Sequence, residues 1–203
     1  MTSESPIFRD LRGVTFQLTT ACNLSCDYCF QDACNVSVSP PGQGTGMVDP
    51  VKTAETLIKL LDFSAEDMGM VFSGGEPLLA PVDWYETFFA LMDRYLERSG
   101  KTLEYSIQTN ISILNPAIIP LFKKHDVHFS VHYDGELDDP KISSKRRRDN
   151  IVTLREMGFP VSALVVGTVE SLKALPSTVE FFAKHGVRFY RVNCVSSQGR
   201  GHH

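Results

Sequence analysis

Three cysteines within eight residues, Cys22-Asn23-Leu24-Ser25-Cys26-Asp27-Tyr28-Cys29, constrain this chain more than any other stretch. They follow an alternating apolar run, Val14-Thr15-Phe16-Gln17-Leu18-Thr19, which reads as a strand. Thiols spaced this way reach one point only if the loop folds around it. Iron–sulfur centres are held by cysteine thiolates, and three ligands rather than four leave one iron with an open position. Two other readings stand beside that one. A structural zinc site wants four closed ligands and would have to recruit Cys34; otherwise these are core cysteines that happen to be neighbours. No second cysteine pair follows to complete a zinc knuckle.

The chain has five cysteines, an odd number with three crowded together, which argues against a secreted disulfide framework and for a reducing cytoplasm. A formal net charge of −4 gives no electrostatic case for nucleic acid or an anionic membrane. The N-terminus shows no basic region followed by an apolar segment, and no apolar run approaches the length of a membrane span. A length of 203 residues suits one domain, 1–203. Its last predicted strand is followed by no helix, so the expectation is a domain truncated at its C-terminus, with His202-His203 either native or a tag remnant.

Strand-like and helix-like patterns alternate throughout. A Gly/Pro/Ser-rich connector, Ser37 to Asp49, reads as a flexible excursion. Asp49-Pro50 then opens a helix with Ala54, Leu57, Ile58 and Leu61 on one face. A strand at Met68–Ser73 precedes a helix striped by Trp84, Phe88, Leu91, Met92 and Tyr95 and closed by Ser99-Gly100. Leu103–Gln108 is the third strand, and Asn115-Pro116 opens a helix carrying Ile118, Leu121 and Phe122. Strand four is Val127–His132, followed by a helix through Ile151 and Leu154. Strand five is Val161–Val166, the next helix carries Leu172, Leu175, Val179 and Phe182, and strand six is Arg188–Val195. Strands alternating with helices imply a parallel sheet whose ligand sites gather at the strand C-termini. The polar and glycine residues fall at those ends: the cysteine loop, Gly74-Gly75-Glu76-Pro77, Gln108-Thr109-Asn110, His132 with Asp134-Gly135, Gly167, and Asn193-Cys194.

Cys22-x3-Cys26-x2-Cys29 with Tyr28 beside the last thiol, then Gly74-Gly75-Glu76-Pro77 after the next strand, resembles the radical S-adenosylmethionine (SAM) superfamily. The resemblance implies an α/β fold, a six-stranded parallel partial (β/α)6 TIM-like barrel. It implies an enzyme in which Cys22, Cys26 and Cys29 ligate a [4Fe–4S] cluster and SAM occupies the fourth iron. One electron then cleaves SAM to a 5′-deoxyadenosyl radical that abstracts substrate hydrogen, the cofactor carrying the hard chemistry. Gly74 and Gly75 would let backbone approach the methionine ammonium, Glu76 would supply an anionic acceptor, Pro77 would complete the motif, and Tyr28 would pack on the adenine side. Each has a blander reading: a plain β–α turn for the glycine run, a core aromatic for Tyr28.

The wording of the motifs, including Phe72-Ser73-Gly74-Gly75-Glu76-Pro77-Leu78-Leu79 and Ile107-Gln108-Thr109-Asn110, is similar to the sulfatase-maturase and peptide-maturase branch. That implies a peptide or protein substrate undergoing cross-linking, epimerisation or oxidation, and an electron donor such as flavodoxin or ferredoxin. A small-molecule substrate is the first alternative, and a non-catalytic metal-binding module the second. The branch usually adds a cysteine-rich C-terminal domain, which these residues lack. Where the branch ends strand four in Ser-x-Asp-Gly, this chain has His132-Tyr133-Asp134-Gly135, so His132 either contacts SAM or substrate or is a satisfied core group. Gln108 and Asn110 take positions facing the SAM pocket, Val165 corresponds to an adenine-flanking residue, and Asn193 is a further adenine contact; each is equally explained by ordinary strand structure. Phe30 and Gln31 become cavity lining. Cys34 and Cys194 are read as peripheral, buried thiols. Lys145-Arg146-Arg147-Arg148 reads as a solvated helix start.

Overall fold

A computed structural model of the chain describes residues 11–31, 46–64, 67–136, 144–195 and 201. Six strands, β1 (Gly13–Thr19), β2 (Met68–Gly74), β3 (Leu103–Thr109), β4 (His128–His132), β5 (Val161–Gly167) and β6 (Phe189–Cys194), form one sheet in sequential order. Every neighbouring pair is parallel, and β1 and β6 are the two edges. Five helices fill the crossovers: α1 (Pro50–Phe63), α2 (Val82–Ser99), α3 (Ile119–Lys124), α4 (Ser144–Glu156) and α5 (Val169–Lys184). Among the described residues no helix is long and apolar enough to cross a membrane.

Side chains alternate across a strand, and here the two faces differ sharply. Met70 and Phe72, Tyr105 and Ile107, Phe129 and Val131, and Val161, Ala163 and Val165 are buried beneath the helices. Phe72 anchors this layer, its ring against those of Trp84, Tyr85, Phe88, Phe89 and Tyr105. Burying such a ring contributes about 1.5–3 kcal/mol. The register pairs Gln108 with Ser130, Ser130 with Ser162 and His132 with Leu164, which puts a polar row on the other face. Closed (β/α) barrels fill that interior with branched apolar side chains; hydroxyls, amides and imidazoles there instead leave room for polar cavities.

Helix boundaries follow local chemistry. The Asp49 carboxylate accepts from the Val51 and Lys52 amides at 2.9 Å each, capping α1 ahead of Pro50. Gly100 ends α2 in the left-handed region, at φ 69°. Asn115-Pro116 opens a 3-10 turn, Pro116–Ile118, before α3 begins, with the Asn115 side chain accepting from the Ala117 amide. α5 turns a different face inward from the one its leucines suggest: Ser171, Thr178, Phe181 and Phe182 are buried while Leu172 is 50% exposed. The cause lies in its first turn, where Thr168 and Ser171 cap each other and the Ser171 hydroxyl donates to the Val166 carbonyl of β5. Residues 37–45 of the Gly/Pro/Ser connector, and Cys34, lie outside the described residues.

Candidate active site

The C-terminal ends of the strands surround a cavity of about 390 Å³. Its most constrained wall is the cysteine loop. At the end of β1 the pairing with β2 slips at Leu18, between Gln17 and Thr19, a bulge that turns the chain out of the sheet. The loop is then stitched to β2's exit by backbone bonds from Gly75 to the Thr19 carbonyl and from Glu76 to the Ala21 carbonyl, both 2.8 Å. A Cβ on Gly74 would lie 2.3 Å from the Thr19 carbonyl oxygen, and one on Gly75 would lie 2.1 Å from that of Ala21. Gly74 also sits at φ +130°. A side chain at either position would therefore strike the protein's own backbone, which by itself requires glycine here. Beyond them the loop tightens, with Cys29 donating to the Cys26 carbonyl at 3.1 Å and the Leu24 amide donating to Cys22 Sγ at 3.5 Å.

Cys22, Cys26, Cys29, Tyr28, Phe30 and Gln31 line the cavity, and so do Gly74, Gly75, Gln108, Asn110, His132 and Asn193. Four expected site residues do not. Glu76 is fully buried behind the wall: Oε1 accepts from the Leu78 amide at 2.8 Å and the Thr109 hydroxyl at 2.7 Å, and Oε2 from the Asn110 amide at 2.8 Å. Pro77 is buried too, its carbonyl accepting from the Tyr85 hydroxyl. Asp134 accepts from the Val166 amide at 2.8 Å and from the Tyr28 hydroxyl, tying the cysteine loop to β4 and β5. Val165 points into the helix-covered core; its neighbours Leu164 and Val166 face the cavity. A period of two makes that a one-residue error with a full change of face.

Two lining residues depart from sequence expectation. Cys194 is exposed at the cavity rim rather than buried. Arg147, placed in a run expected to be solvated, is 1% exposed and lines the cavity. Its Nε donates to the Asn110 carbonyl at 2.9 Å and its Nη2 to the His132 carbonyl, while Nη1 is buried with no partner. A signal for it was present: Arg147 stands four residues before Ile151 and seven before Leu154, on their helical face.

The site's electrostatics follow from burial. Burial pushes the Cys22 thiol up to about 11, against the Leu24 amide, and raises Cys26 against the Arg147 guanidinium and the Tyr28 hydroxyl. Thiolate ligands must be deprotonated, so loading such a site releases protons. His132 is lowered to about 4 by burial, with Arg147 adding to the effect and Asp134 opposing it, which keeps the ring neutral. Gln108 Nε2 lies 2.9 Å from its Nε2; with the amide donating, the ring hydrogen sits on Nδ1.

Burial also raises Glu76 from 4.5 to about 7, against the hydrogen bonds of Thr109, Leu78 and Asn110. Between those values the folded protein holds the proton more tightly than the unfolded chain. Glu76 therefore contributes stability that is complete below 4.5 and lost as the pH rises to about 7. Glu76→Gln is expected to destabilise the fold by about 1–3 kcal/mol and to remove that part of the pH slope. Whichever way the amide is turned, its NH2 faces a backbone N–H, that of Leu78 or of Asn110. Urea titrations across the pH window check both effects, and equal stability of variant and parent above pH 7 would contradict the assignment.

The family model described as "Radical SAM superfamily" matches residues 16–182. The chain belongs to the radical SAM superfamily. It is 30% identical over 179 residues to the cysteine-type anaerobic sulfatase-maturating enzyme of Clostridium novyi, covering 83% of this chain and 46% of that one. To the serine-type enzyme of Klebsiella aerogenes it is 32% identical over 190 residues, covering 88% and 45%. The chain thus spans about half the length of the curated relatives it matches. Among solved structures, anSMEcpe with bound AdoMet and Cp18Cys peptide superposes with a TM-score of 0.75 at 15% identity, over 91% of this chain and 51% of that one. Streptococcus suis SuiB bound to S-adenosylmethionine superposes with a TM-score of 0.68 at 14% identity, over 93% and 41%. At these identities the likeness concerns the fold, the partial barrel.

Radical SAM proteins use a [4Fe–4S] cluster and SAM, and the cavity suits that pair. Three free thiols open onto it. Cysteine thiolates are the ligands that iron–sulfur clusters use. Arg147 lines the same cavity, and its Nη1 is buried without a hydrogen-bond partner; a guanidinium so placed is a fitting complement to an amino-acid carboxylate.

Proposed function

We propose that this chain is the core of a radical SAM enzyme that modifies a peptide or protein. The observation that carries the reading is the meeting, on one cavity, of a three-thiol loop and a buried arginine with one unpartnered nitrogen, Nη1. When bound, the cluster and SAM supply a one-electron cleavage that yields a carbon radical able to take hydrogen from substrate. The chain's part is to bind, orient and exclude. Cys22, Cys26 and Cys29 hold three irons as thiolates. Arg147 Nη1 receives the carboxylate of SAM's methionine portion. Leu164 and Val166 provide an apolar floor for the adenine, and Gln108 with the neutral His132 offers a hydrogen-bonding edge beside it. The tie from Tyr28 to Asp134 keeps the loop against the strand ends, and Leu24 and Phe30 add apolar surface to the cavity lining.

The peptide part of the proposal is supported by the relatives, named as sulfatase-maturating enzymes, and by neighbours solved with a Cp18Cys peptide and with precursor peptide SuiA. A low-potential flavodoxin or ferredoxin would deliver the electron. Reconstituted anaerobically with iron and sulfide, the protein is expected to show charge-transfer absorbance and, with SAM and dithionite, to release 5′-deoxyadenosine. Cys26→Ala should abolish both. An intact cluster that leaves SAM uncleaved would refute the enzymatic reading. Peptides encoded beside the gene provide the substrate assay: a loss of about 2 Da marks oxidation or cross-linking, and deuterium uptake without other mass change marks epimerisation.

A further inference from the structure

Asn110 is held in a way that gives its amide a single orientation. Its Oδ1 accepts from the Ser112 backbone amide at 2.9 Å and from the Ser112 hydroxyl at 2.6 Å. A backbone N–H can only donate, so the oxygen must face Ser112 and the NH2 must face the other way. On that side lie Asn23 Oδ1 at 3.1 Å and Cys22 Sγ at 3.8 Å. Asn23 closes the ring by donating its own Nδ2 to the Ser112 hydroxyl at 2.8 Å. Asn110's backbone is clamped as well, its amide on Glu76 and its carbonyl on Arg147.

We propose that Asn110 is a positioning residue for the cluster, an outer-sphere donor that places its amide N–H on the Cys22 sulfur and raises the reduction potential. The Leu24 amide donates to the same sulfur at 3.5 Å, so two N–H groups converge on Cys22. Reduction adds negative charge to a cluster and its thiolates, and hydrogen bonds to the sulfurs stabilise the more electron-rich state. Removing a donor therefore makes reduction harder. The arrangement also explains why Glu76 is buried rather than exposed to ligand: it braces the residue that faces Cys22. This inference rests on the reading of Cys22 as a cluster ligand.

The test is a spectroelectrochemical titration of the anaerobically reconstituted protein, with iron content and absorbance measured alongside. Asn110→Ala is expected to lower the equilibrium constant for one-electron reduction about tenfold, a midpoint about 59 mV more negative. Asn110→Leu, which removes the same donor with a side chain of similar volume, should move the potential the same way and as far. Ser112→Ala keeps the backbone amide that orients Asn110 and should leave the potential near the parent's. A merely structural role would lower cluster occupancy and leave the potential of the loaded fraction unchanged. Potentials of the loaded Asn110 variants within about twofold of the parent in that constant would overturn the proposal, and Asn110→Leu decides alone if Asn110→Ala takes up no cluster. A parent that forms no cluster would overturn the reading of the three cysteines, and this inference with it.

Discussion

Replacing Gly75 by alanine is expected to unseat the cysteine loop and to leave a protein that both melts early and binds little iron. The added Cβ would stand 2.1 Å from the Ala21 carbonyl oxygen, 2.6 Å from its carbon and 2.8 Å from the Thr20 oxygen, all backbone atoms with no rotamer to escape into. Relief requires pulling the loop away from β2, which breaks the bonds from Gly75 to Thr19 and from Glu76 to Ala21. At about 1 kcal/mol per bond and 1–3 kcal/mol for overpacking, the cost is roughly 3–5 kcal/mol. For a chain of this size that lowers the melting temperature by about 10 °C or more. Gly100→Ala is the matching control. Gly100 has a positive φ of 69° but nothing within 4 Å of its Cβ position, and it lies at the far end of α2. It should cost about 1–2 kcal/mol of left-handed strain and leave iron uptake intact. Thermal melts and iron per chain after reconstitution measure both. Parental iron loading in Gly75→Ala would mean that the loop can form without its seam to β2.

The second large effect is expected at Arg147. Arg147→Met keeps the length and apolar stem of the side chain while removing the guanidinium. If Nη1 meets the carboxylate of SAM, the loss of a charge-assisted bond of about 1.5–3 kcal/mol weakens SAM binding roughly 10- to 150-fold. Two carbonyls, of Asn110 and His132, also lose their donor, so some destabilisation accompanies the variant. Decarboxylated SAM separates the two effects. The parent should bind it about as weakly as the variant binds SAM, and the variant should scarcely distinguish the two ligands. Arg147→Lys keeps the charge but not the planar fork, and should fall between. Calorimetry on the reconstituted protein gives the constants. A folded Arg147→Met that binds SAM as tightly as the parent would remove Arg147 from the site.

What was legible in the sequence was periodicity and punctuation. Six alternating or apolar runs separated by capped helices imply a parallel sheet, and all six strands form within a residue or two of their expected bounds. Asp49-Pro50 and Ser99-Gly100 mark real helix ends because capping is local chemistry. Errors arose where a side chain's direction depends on what packs against it. Val165 was one position off the cavity face. Leu172 was assigned inward by apolarity alone, while a cap made by Thr168 and Ser171 turns the helix otherwise. Arg147 was hidden in a basic run whose other members reach outward: Arg148, for instance, pairs with Glu136 at the surface.

The sequence by itself determined the three thiols, their spacing, the glycine run after the next strand and the order of elements that brings them to one rim. Each of these is either covalent or enforced by short-range geometry. Only the tertiary structure decided which groups face the cavity and which hold its wall. Glu76 and Asp134 are acidic residues at strand ends, chemically suited to touch a ligand. Both are instead spent on hydrogen bonds with the protein's own N–H and O–H groups, because buried acceptors and donors must pair across elements distant in sequence. The nitrogen left over from that pairing, Arg147 Nη1, is the one buried side-chain polar atom of this wall without a hydrogen-bond partner among the described residues.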